Sequence, residues 1–126
     1  MIQPQRVQLS RRKGWRMPPN TVNVARPGSW GNPYRVGKPV DLRQAKCYGW
    51  QLRHPDYVCC DAQEAVSLFA ATLVRDDASI WLARRELARN NLACWCLLPT
   101  PGEPDICHGA VLLEIANWRG WSGFPA

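Results

Sequence analysis

The sequence predicts a small, single-domain α/β protein: a Rossmann-like, layered fold with a short, mostly parallel sheet and about three helices. Three observations point there. A chain of 126 residues fits one domain and can bury roughly two-thirds of its unfolded surface, enough for a core without staples. Short alternating segments near the N-terminus and one continuous apolar run later in the chain read as strands. Between and after them lie segments with helical spacing and polar caps. The domain is expected to take in residues 1–126, with 1–5 and 119–126 as tails.

Residues 6–9 alternate apolar and polar and form the first expected strand. A basic loop follows, Ser10-Arg11-Arg12-Lys13-Gly14-Trp15-Arg16, closed by Pro18-Pro19. Residues 21–25 place Val22 and Val24 on one face of a second strand. It runs into Arg26-Pro27-Gly28-Ser29-Trp30-Gly31-Asn32-Pro33-Tyr34, too dense in turn formers for a helix. A long loop with fixed turns is more often functional than idle. Residues 36–60 read as irregular, with a short helix around 42–48.

Asp61 and Glu64 have the spacing of a capping box. The helix they open runs to about Val74 and is expected to bury Val66, Phe69 and Leu73. Asp76 or Asp77 caps a second helix through Arg89, with Ile80, Ala83 and Leu87 inside and Arg84, Arg85 and Arg89 on a solvated face. Residues 92–98, Leu-Ala-Cys-Trp-Cys-Leu-Leu, are apolar enough to be a buried central strand. After a loop with three prolines, a third helix starts near Cys107-His108 and buries Val111, Leu112, Ile115 and Ala116.

The formal net charge of +6 favours an anionic partner. Seven tryptophans supply core area and also platforms for planar ligands. The first residues lack the apolar stretch of an export signal. The six cysteines are then expected to be reduced, and metal-binding or catalytic if clustered. No apolar run approaches the roughly 18 residues that span a bilayer, so a cytoplasmic protein with no membrane partner is expected. His54, Cys47 and the Cys59-Cys60 pair have no partner pattern.

The most specific feature is the set Cys94, Cys96, Cys107 and His108. On a strand Cys94 and Cys96 share a face and Trp95 takes the other. Cys107 and His108 open the next helix, and α/β folds place their sites between strand ends and helix starts. Three readings stay open. In one the residues are core, since cysteine is a small buried hydrophobe; an exposed helix start fits this poorly. In another they are zinc ligands, three thiolates and an imidazole, although one intervening residue and then an adjacent pair are strained for chelation. Or the helix start is an open reactive site, with Cys96, Cys107 and His108 as catalytic groups, its positive end lowering a thiol pKa and receiving an anion. Arg26 would add an anion contact if the second strand neighbours the Cys strand.

Arg26-Pro27, Trp30-Gly31-Asn32-Pro33-Tyr34, Leu92-Ala93-Cys94-Trp95-Cys96 and Cys107-His108-Gly109 resemble a family of small bacterial and phage proteins, domain of unknown function 4326. The resemblance spans about residues 6–117. It implies an intracellular α/β domain with Arg26, Asn32, Cys94, Cys96, Cys107 and His108 on signature positions. The sequence departs from the family pattern at Ala25, where glycine is usual, and at Ala110, where an aspartate commonly stands. The loop after the Cys strand is also longer than usual, which argues against a four-ligand zinc site.

The leading expectation is a protein that binds or modifies a nucleotide, nucleobase or other phosphorylated small molecule at the Cys/His site. Arg26 and Asn32 would bind the ligand, and Trp30 or Trp95 would stack on it. The alternative is a zinc-stabilised, non-enzymatic nucleic-acid-binding protein that uses the basic loop. A third is a phage protein that blocks a host protein.

Overall fold

The structure, a computed structural model, describes residues 3–39 and 58–118. The expected helix over 42–48, together with Cys47, His54 and the 119–126 tail, lies outside the described residues. The elements follow the order β1 (Arg6–Gln8), β2 (Thr21–Asn23), α1 (Ala62–Val74), α2 (Asp77–Leu87), β3 (Asn91–Cys94) and α3 (His108–Asn117).

The three strands form one parallel sheet in the order β1-β3-β2. The last strand in sequence is therefore the central one. Val7 pairs with Ala93 and Val22 with Leu92, and Leu92 and Ala93 are fully buried. That explains their apolar character: a strand covered on both faces has no polar side. β3 is shorter than the sequence suggests. It ends at Cys94, and a bend carries Trp95 and Cys96 out of the sheet, leaving Leu97 80% exposed. The apolar run 95–98 is surface, not strand.

Capping fixes the helices. Asp61 accepts from the Glu64 N–H at 2.8 Å, the capping half the spacing predicts, while the Glu64 carboxylate accepts from the N–H of Cys60, the residue before the cap. The buried stripe of α1 is Ala65, Leu68, Phe69 and Leu73. Val66 lies at its edge, because the helix is rotated toward the Ala65 side. Asp76 caps α2, which buries Ile80, Ala83 and Leu87 as its periodicity predicts. This helix stops at Leu87 rather than Arg89. Arg89 has a left-handed φ of 68°, and its N–H donates to the Asn117 side chain at 3.0 Å. Arg84 does not face solvent as expected: its guanidinium donates to the Ile115 and Trp118 carbonyls and closes the end of α3. In α3, Leu112, Ile115 and Ala116 are buried and Val111 only half so.

Two apolar clusters result, one on each side of the sheet. The larger joins all three helices with Val24, Leu92, Tyr34 and Cys59. The smaller holds Leu9, Ala25, Ala93, Cys94 and Cys107, with Val7 and Trp15 packed against it. The basic loop, through Trp15, packs on the smaller cluster. Among the described residues, no helix is long and apolar enough to cross a membrane.

Candidate functional site

Cys94, Cys96, Cys107 and His108 meet where β3 ends and α3 begins. The sulfurs of the three cysteines all lie within 4.8 Å of one another, a set able to hold a metal ion. Cys94 and Cys96 are 3.8 Å apart, and the His108 Nδ1 stands 4.0 Å from Cys94 and 3.9 Å from Cys107. With zinc–sulfur bonds of about 2.3 Å, the edge of a tetrahedral thiolate site is about 3.8 Å.

The two spacings that looked strained for chelation are both relieved by the backbone. Had β3 continued, Cys94 and Cys96 would stand a full strand repeat apart; the bend after Cys94 folds the Cys96 sulfur back. Cys107 is the extended N-cap of α3 (φ −149°), and His108 is its first helical residue. The change of conformation between them turns both side chains to one point.

Second contacts orient the imidazole. His108 Nε2 lies 2.6 Å from the Val24 carbonyl, which can only accept, so Nε2 carries the hydrogen and Nδ1 faces the sulfurs. The Phe69 ring meets the imidazole edge-on, with centroids 5.4 Å apart.

The helix start was expected to be partly exposed and open to anions. Instead Cys107 is fully buried and His108 is 5% exposed. Cys107 caps its own helix: its sulfur receives the Gly109 N–H and its carbonyl the Ala110 N–H. Gly109 packs beside them: a Cβ there would make ordinary 3.5 Å contacts with the Cys107 sulfur, the Arg6 side chain and Val24.

The thiols differ in charge. A hydrogen bond from Cys107 above all holds Cys94 down to about 3, against its burial. Cys107, the donor, is pushed up by that same bond and by burial. Burial is the main influence raising Cys96, while the nearby Arg6 charge pulls it the other way.

Arg6 and Asp105 are the residues the sequence reading missed. The Arg6 side chain is 3% exposed and pairs through Nε with Asp105. Its Nη2 donates to the Leu97 carbonyl at 2.7 Å, and the Gln8 side chain accepts from the Leu98 N–H. Together they tie the proline loop to β1. Arg6 Nη1 and Asp105 Oδ1 are buried without a hydrogen-bond partner among the described residues. The signal for this pair was an arginine opening a strand that pairs with the apolar β3.

The remaining candidates separate. Arg26 is exposed and joins Pro27 by a cis peptide; β2 does neighbour β3, as its proposed role requires. Asn32 is buried, its amide donating to the Ala65 carbonyl and accepting from the Tyr34 N–H, both at 2.9 Å. It fastens the turn-rich loop to α1. Trp30 packs against the larger core and lines a cavity of about 310 Å³. Trp95 is 45% exposed, with the Arg11 guanidinium 4.6 Å above its ring. The two tryptophans thus serve different places: Trp30 the cavity, Trp95 the thiol bend.

Comparison with curated proteins and with solved structures yields no match. Residues 7–118 match the family described as Domain of unknown function (DUF4326), nearly the whole chain including both motifs, and the protein belongs to that family.

Proposed function

We propose that this chain is a zinc-stabilised, non-enzymatic nucleic-acid-binding protein, with Cys94, Cys96, Cys107 and His108 Nδ1 as the metal ligands. The observation that carries the reading is the contact between the basic loop and the thiol cluster. Trp15 packs on the small apolar cluster that includes Cys94 and Cys107, and Arg11 lies over Trp95, the residue between two of the ligands. A metal that fixes the cluster also fixes this loop.

The donor chemistry supports zinc. Three thiolates and a neutral imidazole around a divalent ion leave one net negative charge, and Arg6 stands close enough to offset it. The imidazole is held by a backbone carbonyl, as metal-bound histidines usually are. Cys107 and His108 are buried and turned toward each other, which suits a closed structural centre better than a nucleophile.

The loop exposes Arg11, Arg12, Lys13 and Arg16 beside an exposed indole. Cations that track a phosphate backbone and an aromatic face for a base are what single-stranded nucleic acid requires. Metal analysis of the purified protein should find about one zinc per chain, lost in Cys107→Ser and retained in Cys60→Ser, whose exposed thiol lies outside the cluster. A fluorescent single-stranded oligonucleotide should bind with a log–log salt slope of about −3, for roughly four phosphates neutralised. A metal-free protein of undiminished stability, or no oligonucleotide binding at low salt, would count decisively against the reading.

A further inference from the structure

The turn-rich loop and the first two helices form an open cleft that Trp30 lines. Its volume, about 310 Å³, is at the small end of ligand sites, the scale of one base or nucleoside. Three aromatic residues, Trp30, Tyr34 and Phe69, share its wall with Thr72, Asp76 and Ser79. Asp76 is the one formally charged side chain in that lining. Its oxygens accept from the Ala78 N–H at 3.2 Å and the Ser79 hydroxyl at 2.7 Å. A carboxylate offers about four acceptor positions, so Asp76 can still receive donors from a ligand. The Ser79 hydroxyl above all keeps its pKa low.

An aromatic wall with a fixed carboxylate selects a planar group carrying adjacent N–H donors. Guanine presents such a pair on its Watson–Crick edge, the ring N–H and the exocyclic amino group; adenine presents only an amino group there. The arginine guanidinium has the same donor pattern, but a cationic residue packed behind the wall, Arg26, favours a ligand that also carries an anion. Arg26 lies against Gly31, a wall residue, so closely that a Cβ on Gly31 would come within 2.8 Å of the Arg26 side chain. Among the described residues, the Arg26 guanidinium has no ion pair.

We propose that this cavity binds a guanine nucleotide, with Asp76 accepting from the base, Trp30 in the wall that holds it, and Arg26 at the phosphate. The nucleotide expected from the sequence then belongs here, not at the helix start of α3. Phe69 stands between the two places, lining the cavity and touching His108. The proposal does not depend on the metal.

The test is calorimetric titration of the protein, metal content as purified, with GMP, AMP and guanosine. GMP should bind saturably, AMP about tenfold more weakly or worse, and guanosine more weakly than GMP. Asp76→Asn keeps a good N-cap but removes the charge, and should weaken GMP by about tenfold, as expected for charge-assisted hydrogen bonds. Arg26→Ala should bring GMP down to the level of guanosine. No saturable GMP binding at millimolar concentration, equal binding of GMP and AMP, or an unchanged affinity in Asp76→Asn would each overturn the proposal. The GMP–AMP comparison uses the unaltered chain, so it stands even where a variant is unstable.

Discussion

Arg6 and Asp105 show how much a single residue can organise. An arginine in a three-residue strand reaches under the Cys cluster and holds a loop whose prolines allow it no regular structure. Removing one member of a buried pair leaves the other charge uncompensated, at a cost of about 3–5 kcal/mol. Asp105 retains some exposure, so Asp105→Ala should fall near the lower figure in urea denaturation. The double variant Arg6→Met, Asp105→Leu should recover much of that loss, because no stranded charge remains. If Asp105→Ala left stability unchanged, the pair would not be what holds the loop.

At the scale of elements, the loop between β2 and α1 is as tightly specified as any helix. Asn32 bonds it to the backbone of α1, and Gly31 lets the chain pass Arg26 at a distance no side chain tolerates. Gly31→Ala would force backbone atoms apart and should destabilise the fold by about 1–3 kcal/mol. Thermal melts of this variant and of Gly14→Ala address separate questions, since Gly14 meets no neighbour but has a φ of 85°. In α2, Asp76→Ala should cost about 1 kcal/mol through the lost cap. The Asp76 carboxyl is held below its ordinary value of 3.8, so its contribution is complete above that pH and disappears as pH falls through the lower folded-state value. The stability difference between wild type and Asp76→Ala should therefore shrink in acid. A difference that grew as pH fell would contradict this sign.

For the whole molecule, the sheet is too small to hold two layers by itself. Three strands of three or four residues share one large apolar cluster with the three helices and, among the described residues, one small cluster with Trp15 and the cysteines. A metal bound to the folded cluster and not to the unfolded chain stabilises the fold by mass action. Chelation should lower the melting temperature and weaken oligonucleotide binding together, since the basic loop rests on the cluster. GMP binding at the cavity should persist in chelated protein that is still folded. A melting temperature indifferent to chelator would remove the metal reading while leaving the cavity proposal intact.

The helices were legible from sequence because their signals are local. Asp61 with Glu64, Asp76, and the apolar spacing of Ile80, Ala83 and Leu87 act within one or two turns. The Cys/His set was legible for a similar reason: unusual residue types stood at a strand end and a helix start. The length of β3 was not. An apolar run reads the same whether it is buried strand or exposed bend, and only pairing with β1 and β2 decides where it ends. That early ending at Cys94 is what brings Cys96 back to the cluster.

The sequence by itself determined the α/β class and the order of the elements, and singled out Cys94, Cys96, Cys107 and His108 as candidates. Tertiary structure decided the rest. Strand pairing ended β3 at Cys94, burial closed a helix start that looked open, and Arg6 found Asp105 across the chain. The loop around Trp30 became a cavity wall only when α1 and α2 packed against it. These are contacts between residues far apart in the chain, and local pattern carries no record of which distant groups a side chain will meet.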